Sequence, residues 1–111
     1  MKVKDTAPVS IIICALNEEK RIQDAIESAK KNNPKEVIVV EGGSLDKTVV
    51  IAKKYADKVY SVDQFGLGYK RAFGVKKASQ PYILNLDADQ ILGENTLEIM
   101  MNEVEINNFV G

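Results

Sequence analysis

The stretch Val9-Ser10-Ile11-Ile12-Ile13-Cys14-Ala15-Leu16-Asn17-Glu18 decides the fold. Its β-branched, almost wholly apolar first half suits a strand buried on both faces, as in a parallel sheet covered by helices. The polar Asn17-Glu18-Glu19 that follows opens a helical pattern, with Ile22, Ala25, Ile26 and Ala29 recurring at helical spacing up to Asn32. Asn17 is the expected N-cap, and Glu18 and Glu19 suit the positive end of the helix; that accounts for these residues, and the competing reading is that the free N–H groups face a nucleotide. Asn32-Asn33-Pro34 stops it.

The alternation repeats outward. Glu36-Val37-Ile38-Val39-Val40 predicts a second buried strand, Gly42-Gly43-Ser44 a turn, and Ser44 or Asp46 the cap of a helix running to about Ala56. Val59–Val62 predicts a third strand. Gln64–Gly68 leads into a helix with Ala72, Phe73, Val75 and Ala78 inward. Pro81–Leu86 predicts a fourth strand and Asn95–Asn107 a final amphipathic helix. This βαβαβαβα order predicts an α/β fold, a parallel sheet with helices on both faces and right-handed crossovers. Ligands of such sheets bind beyond the carboxyl ends of the strands, where strand order reverses. Function is therefore expected in Ala15–Glu18, Glu41–Ser44, Asp63–Gly68 and Asp87–Asp89.

Composition narrows the chemistry. The 111 residues carry 15 Lys+Arg against 16 Asp+Glu, one Cys and no His. One domain fits this length. Near-neutral charge gives no basis for nucleic-acid binding, and the absence of His removes Ser-His-Asp triads and the common zinc sites. A lone cysteine suits a reducing compartment, and Cys14 is expected to pack as a small hydrophobe. The longest apolar run, Val9–Leu16, is far shorter than the ~20 residues of a membrane span, and no signal-peptide pattern opens the chain. A soluble, cytoplasmic protein is expected. Charge is uneven: every base lies between Lys2 and Lys77, and from Ala78 onward there are only acids. The four Glu of that region read as a solvated helix face. Asp87 and Asp89 directly follow an apolar strand and do not.

Asp87-Ala88-Asp89 is the sharpest chemical signal. Carboxylates at i and i+2 of an extended segment share a side, and a divalent cation relieves their repulsion. Hard oxygen ligands suit Mg²⁺ or Mn²⁺, which take one or two carboxylates plus phosphate oxygens. A solvated turn is the competing reading. Glu18 and Glu41 can accept from a ribose or a base. Gly42-Gly43 permits a tight turn and close ligand approach. Lys70 and Arg71, expected to open the third helix, either neutralise a diphosphate or are surface charge. Tyr69, Phe73 and Tyr82 are expected as core or rim aromatics. Gly66-Leu67-Gly68 lacks the third glycine of a dinucleotide fingerprint, and no P-loop is present.

In order and context these motifs resemble the N-terminal, donor-binding half of a GT-A fold enzyme of glycosyltransferase family 2. Val9–Glu19 resembles the opening strand and "P-x-Y-N-E" loop, Val39–Thr48 resembles "V-V-D-D/G-G-S-x-D-x-T", and Leu84–Asp89 resembles the strand leading to "L-D-A-D". Gly66–Gly74 is similar to the "G-L-G" segment of the polyprenyl-phosphate hexose synthase branch. The resemblance implies an inverting hexosyltransferase using a nucleotide diphosphate-sugar, UDP- or GDP-linked, with a polyprenyl phosphate as candidate acceptor. It implies that Ala15, Leu16, Asn17, Glu18, Glu41 and Gly42 hold base and ribose, and that Arg71, Asp87 and Ala88 lie at the donor. Asp87 and Asp89 would hold Mg²⁺ or Mn²⁺ on the diphosphate. Cys14 and Leu16 replace the family's Pro and Tyr, Glu41-Gly42 replaces an Asp pair, and Gln90 lies one place early. Nothing after Leu92 resembles the acceptor half, where the general base is expected. Residues 1–111 then form one nucleotide-sugar-binding domain, whose site is completed by a missing C-terminal half or another subunit. The apolar residues Leu97, Met100, Met101, Val104, Phe109 and Val110 predict an exposed edge and self-association. The rival readings are a non-catalytic, receiver-like regulatory module and a sugar-1-phosphate nucleotidyltransferase. The acidic pair of the first and the Gly-rich, Arg-containing loop of the second are both missing after the first strand.

Overall fold

A computed structural model describes residues 6–63 and 66–107, with side chains through Val104. It contains β1 (Ala7–Ala15), α1 (Ile22–Lys31), β2 (Pro34–Glu41), α2 (Thr48–Tyr55), β3 (Lys58–Ser61), α3 (Gly66–Lys77), β4 (Tyr82–Asp87) and α4 (Thr96–Asn107). The four strands form one parallel sheet in the order β3-β2-β1-β4. The expected α/β architecture is present.

β1 is central, and Val9 and Ile11 to Ile13 are wholly buried. Alternate side chains feed two cores. Val9, Ile11 and Ile13 pack with Ile22, Ala25, Ile26 and Ala29 of α1, Ala52 of α2, and Leu97 and Met101 of α4. Ile12 and Cys14 join Ile38, Val40, Val62 and Phe73 on the opposite face, under α3. The connections explain the split. β1→β2→β3 steps one way across the sheet, and β3→β4 returns past both to the far side of β1. A constant crossover hand then sends α3 to the other face. Strand order reverses between β1 and β4, so a crevice opens beyond Ala15 and Asp87.

Several local expectations need correction. α1 begins at Ile22, not Glu18, and Asn17 does not cap it. Asn17 adopts φ 53°, a left-handed conformation that Asn tolerates, and its Oδ1 accepts from the Leu45 amide at 2.8 Å. Loop-to-loop bonding has won over capping. α3 begins at Gly66, so Lys70 and Arg71 lie within it rather than opening it. Its inward face is also rotated from the expected one: Ala72 and Val75 are exposed, whereas Lys70 and Gly74 are buried. Gly74 is the reason, since a Cβ there would meet Ile12 Cγ2 at 2.3 Å. The helix lies so close to β1 that only a glycine fits, and that contact sets its rotation.

α4 buries Leu97 and Met101 and leaves Ile99 exposed. Phe109 and Val110 lie outside the described residues. Among the described residues no helix is long and apolar enough to cross a membrane.

Candidate functional site

The carboxyl edge of the sheet gathers the predicted residues on three loops. The first follows β1. Ala15 is buried, Leu16 half exposed, and Asn17 exposed. The second follows β2. The third is the turn after β4, in which the Gln90 amide donates to the Asp87 carbonyl at 2.9 Å. The Ala88 amide donates to the Cys14 carbonyl at 3.1 Å, stitching this turn to β1.

The first two loops interlock. The amide of Asn17 donates to Ser44 Oγ (2.9 Å), that of Glu18 to Thr48 Oγ1 (2.8 Å), and that of Glu19 to Asp46 Oδ2 (3.2 Å). In return Asn17 Oδ1 accepts from the Leu45 amide, and Glu19 Oε2 from the Lys47 amide at 3.3 Å. Asp46 Oδ1 accepts from both the amide and the hydroxyl of Thr48. The Thr48 hydroxyl, helped by the Thr48 and Glu19 amides, holds the Asp46 carboxyl below the ordinary carboxylate range. The amides of Asn17, Glu18 and Glu19, which could have faced a nucleotide, are therefore occupied from within the chain. Asn17, Glu18, Glu19, Lys20, Arg21 and Asp46 line a cavity of about 260 Å³ beside this contact. Ser44 lies in a segment expected to carry function, whereas Asp46 and Thr48 lie beyond the strand ends and were not expected in the site. The spacing Gly43-Ser44-x-Asp46-x-Thr48, two residues apart after a turn, was the available signal.

Glu41 is only 2% exposed. Its Oε1 accepts from the Gly43 (3.0 Å) and Ser44 (2.6 Å) amides. Burial favours protonation, but hydrogen bonds from Ser61, Ser44 and Gly43 outweigh it and lower the pKa. The carboxylate read as a base acceptor thus also braces its own turn. Gly43 at φ 88° makes that turn possible.

Asp87 and Asp89 differ. Asp87 ends β4, and its Oδ1 lies 3.3 Å from Arg71 Nη2. Its amide donates to Gln90 Oε1 at 2.8 Å. Asp89 is exposed within the turn, so the strand alternation used to put both carboxylates on one side does not extend to it. Among the described residues Arg71 Nε is buried without a hydrogen-bond partner. The structure brings Arg71 to Asp87, across from α3. Lys70 is 8% exposed, so surface charge is not its explanation. Cys14 lies opposite Asp87 in the sheet register, and burial pushes its thiol pKa up, so it packs as an inert small side chain.

Among the described residues no three His, Cys, Asp or Glu side chains are grouped to hold a metal. Asp87 at the crevice, with Asp89 two residues on in the exposed turn, supplies the hard oxygen donors that suit a cation taking its remaining oxygens from a diphosphate and water.

Residues 10–111 match Glycosyl transferase family 2, and the chain belongs to that family. The cholesterol galactosyltransferase of Borreliella burgdorferi is 32% identical over 109 residues, covering 90% of this chain and 30% of that protein. Among solved structures, S. aureus TarS superposes with a TM-score of 0.82 at 28% identity, covering 90% of this chain and 20% of TarS. The glucosyl-3-phosphoglycerate synthase of Mycobacterium tuberculosis, crystallised with Mn²⁺, UDP and glucosyl-3-phosphoglycerate, superposes with a TM-score of 0.70 at 25% identity. That match covers 79% of this chain and 36% of the synthase. The chain spans about a third of the length of the curated relatives it matches. The sheet and its helices are the Rossmann-like half of a GT-A fold.

Proposed function

We propose that residues 1–111 form the donor-binding part of a metal-dependent glycosyltransferase that uses a nucleotide diphosphate-sugar. The observation that carries this is Asp87, half-exposed at the switch point of a parallel sheet, with an adjacent Asp89 and an arginine at 3.3 Å. UDP in the M. tuberculosis synthase structure supports a uridine donor over a guanosine one.

In this reading Leu16, Asn17, Glu18 and Gly42 face the base and ribose, while the buried Ala15 and Glu41 hold the two loops from behind. Asp87 and Asp89 hold Mg²⁺ or Mn²⁺, and Ala88 and Arg71 lie along the diphosphate. The cation supplies charge neutralisation on the departing nucleotide. Arg71 contributes a second positive charge from the protein side, and the Glu41-braced turn brings backbone close to the donor without a side chain in the way. The transfer is inverting, with a hexose passing to an acceptor hydroxyl or phosphate. The Gly66–Gly74 segment favours a polyprenyl phosphate, which would place the enzyme at the cytoplasmic face of a membrane. The general base and acceptor groove belong to a partner subunit or to the part of the relatives that this chain does not span.

Calorimetric titration of UDP with and without Mn²⁺ tests the reading. Mn²⁺-dependent binding is expected, weakened about a hundredfold by Asp89→Ala. That change should alter folding stability by less than about 0.5 kcal/mol, because Asp89 is exposed. Binding indifferent to both metal and Asp89 would refute it.

A further inference from the structure

We propose that Ser44, Asp46 and Thr48 are positioning residues for the donor, acting through the backbone of the first loop rather than by touching the ligand. The inference rests on the donor-binding reading above and assigns work to three side chains which that reading leaves idle.

The geometry is reciprocal. Three consecutive amides of the first loop, Asn17, Glu18 and Glu19, each donate to a different side chain of the second loop or of the first residue of α2, at 2.9, 2.8 and 3.2 Å. Two first-loop side chains return the contact to the backbone of the second, at Leu45 and Lys47. Thr48 is the hinge pin. Wholly buried, its hydroxyl accepts from Glu18 and donates to Asp46, which in turn accepts from Glu19. A hydroxyl has one proton to give, so the direction of this chain is fixed by the backbone donor at its start.

Two consequences follow. First, the loop between β1 and α1 has no helical hydrogen bonding of its own until the Arg21 and Ile22 amides reach the Glu18 carbonyl. Its shape at Asn17, in the left-handed region, depends on the second loop. Second, the Asn17, Glu18 and Glu19 amides are already spent on Ser44, Thr48 and Asp46. A ligand diphosphate finds no donors there and falls instead to the cation and Arg71. The base end of the donor site is set by the interlock, and the phosphate end by Asp87, Asp89 and Arg71.

The test uses the whole chain, with Thr48→Val, Thr48→Ser and Asp46→Ala. Amide hydrogen exchange and UDP affinity with Mn²⁺ are read on each. Thr48→Val and Asp46→Ala should speed exchange at residues 17–19 at least tenfold, leave β1 and β2 protected, and weaken UDP about tenfold. Thr48→Ser, which restores the hydroxyl, should recover both. Asp46 lies in a partly exposed loop, so its variant remains informative if Thr48→Val does not fold. Faster exchange spread evenly over the sheet would show a merely structural role and overturn the inference. So would faster exchange confined to residues 17–19 with unchanged UDP affinity. Wild-type protein that binds no UDP would instead remove the functional reading, and the positioning role with it, even if the amides are protected as described.

Discussion

The two ends of the sheet treat acidic side chains in opposite ways. At the amino ends of the strands Glu36 is 5% exposed and fully engaged. Its Oε2 accepts from the Ser10 hydroxyl (2.5 Å) and from the Ser79 amide (2.7 Å) and hydroxyl (2.8 Å), and Lys58 Nζ lies 3.0 Å from Oε1. Burial pushes its pKa up, but these hydrogen bonds outweigh burial and bring it down to about 2. At the carboxyl ends Asp87 pairs with Arg71 at 3.3 Å, Asp89 is exposed, and among the described residues Arg71 keeps a buried donor unused. One end spends its polar groups on joining β1, β2, β3 and the loop before β4. The other holds unspent capacity where the strand order reverses. Saturated polar networks stabilise, whereas under-used ones are where a ligand can add bonds.

Changes at Glu36 should break this contrast most strongly. Glu36→Ala leaves the Ser10 and Ser79 donors and the Lys58 charge without their acceptor, and should cost about 3 kcal/mol in urea unfolding. UDP affinity of the folded fraction should be unchanged. The same carboxylate gives a pH signature. Its folded value of about 2 lies below the ordinary 4.5, so its stabilisation is complete above about pH 4.5 and is lost as pH falls toward 2. By linkage this amounts to about 3 kcal/mol, and the acid-sensitive slope should flatten in Glu36→Gln. An unchanged slope would mean that the closed end is not held by this charge.

Arg71→Gln sharpens the other half of the comparison. Its ion pair with Asp87 is substantially exposed, so folding should change by less than about 0.5 kcal/mol. UDP affinity with Mn²⁺ should fall about tenfold. The reverse pattern, lost stability with intact binding, would make Arg71 a structural group like Glu36. The smallest effect is expected at neither end. Ile99, 60% exposed on α4, should tolerate Ile99→Ser within about 0.5 kcal/mol. If that helix face drives self-association, light scattering should show a smaller assembly in the variant. A wild-type protein monomeric at micromolar concentration would overturn the self-association expected from the apolar residues of the last segment.

Much of the architecture was readable in the sequence because buried parallel strands and amphipathic helices differ so plainly in period. Each expected strand and helix has its counterpart among the described residues, the strands on Val9–Cys14, Val37–Val40 and Leu84–Leu86 and the helices on the patterns between them, though the starts of α1 and α3 are shifted. The Asp87-x-Asp89 pair and Arg71 were also visible, since a strand end and a run of charge are local features. The start of α1 was not. Asn17 has the composition of a cap, and only the presence of Ser44, 27 residues away, diverts it into a turn. The rotation of α3 was equally hidden, because Gly74 says nothing until Ile12 lies against it.

By itself, then, the order of residues determined the layered α/β fold, the edge that carries the candidate site and the family to which the chain belongs. Those follow from periodicity and from motifs that are short-range in the chain. The tertiary structure alone decided which polar groups are spent and which are spare: Glu41 and Thr48 turned inward, Asp89 left in solvent, Arg71 drawn to Asp87. Hydrogen-bond satisfaction depends on partners brought together from distant loops, and no local pattern encodes that distance.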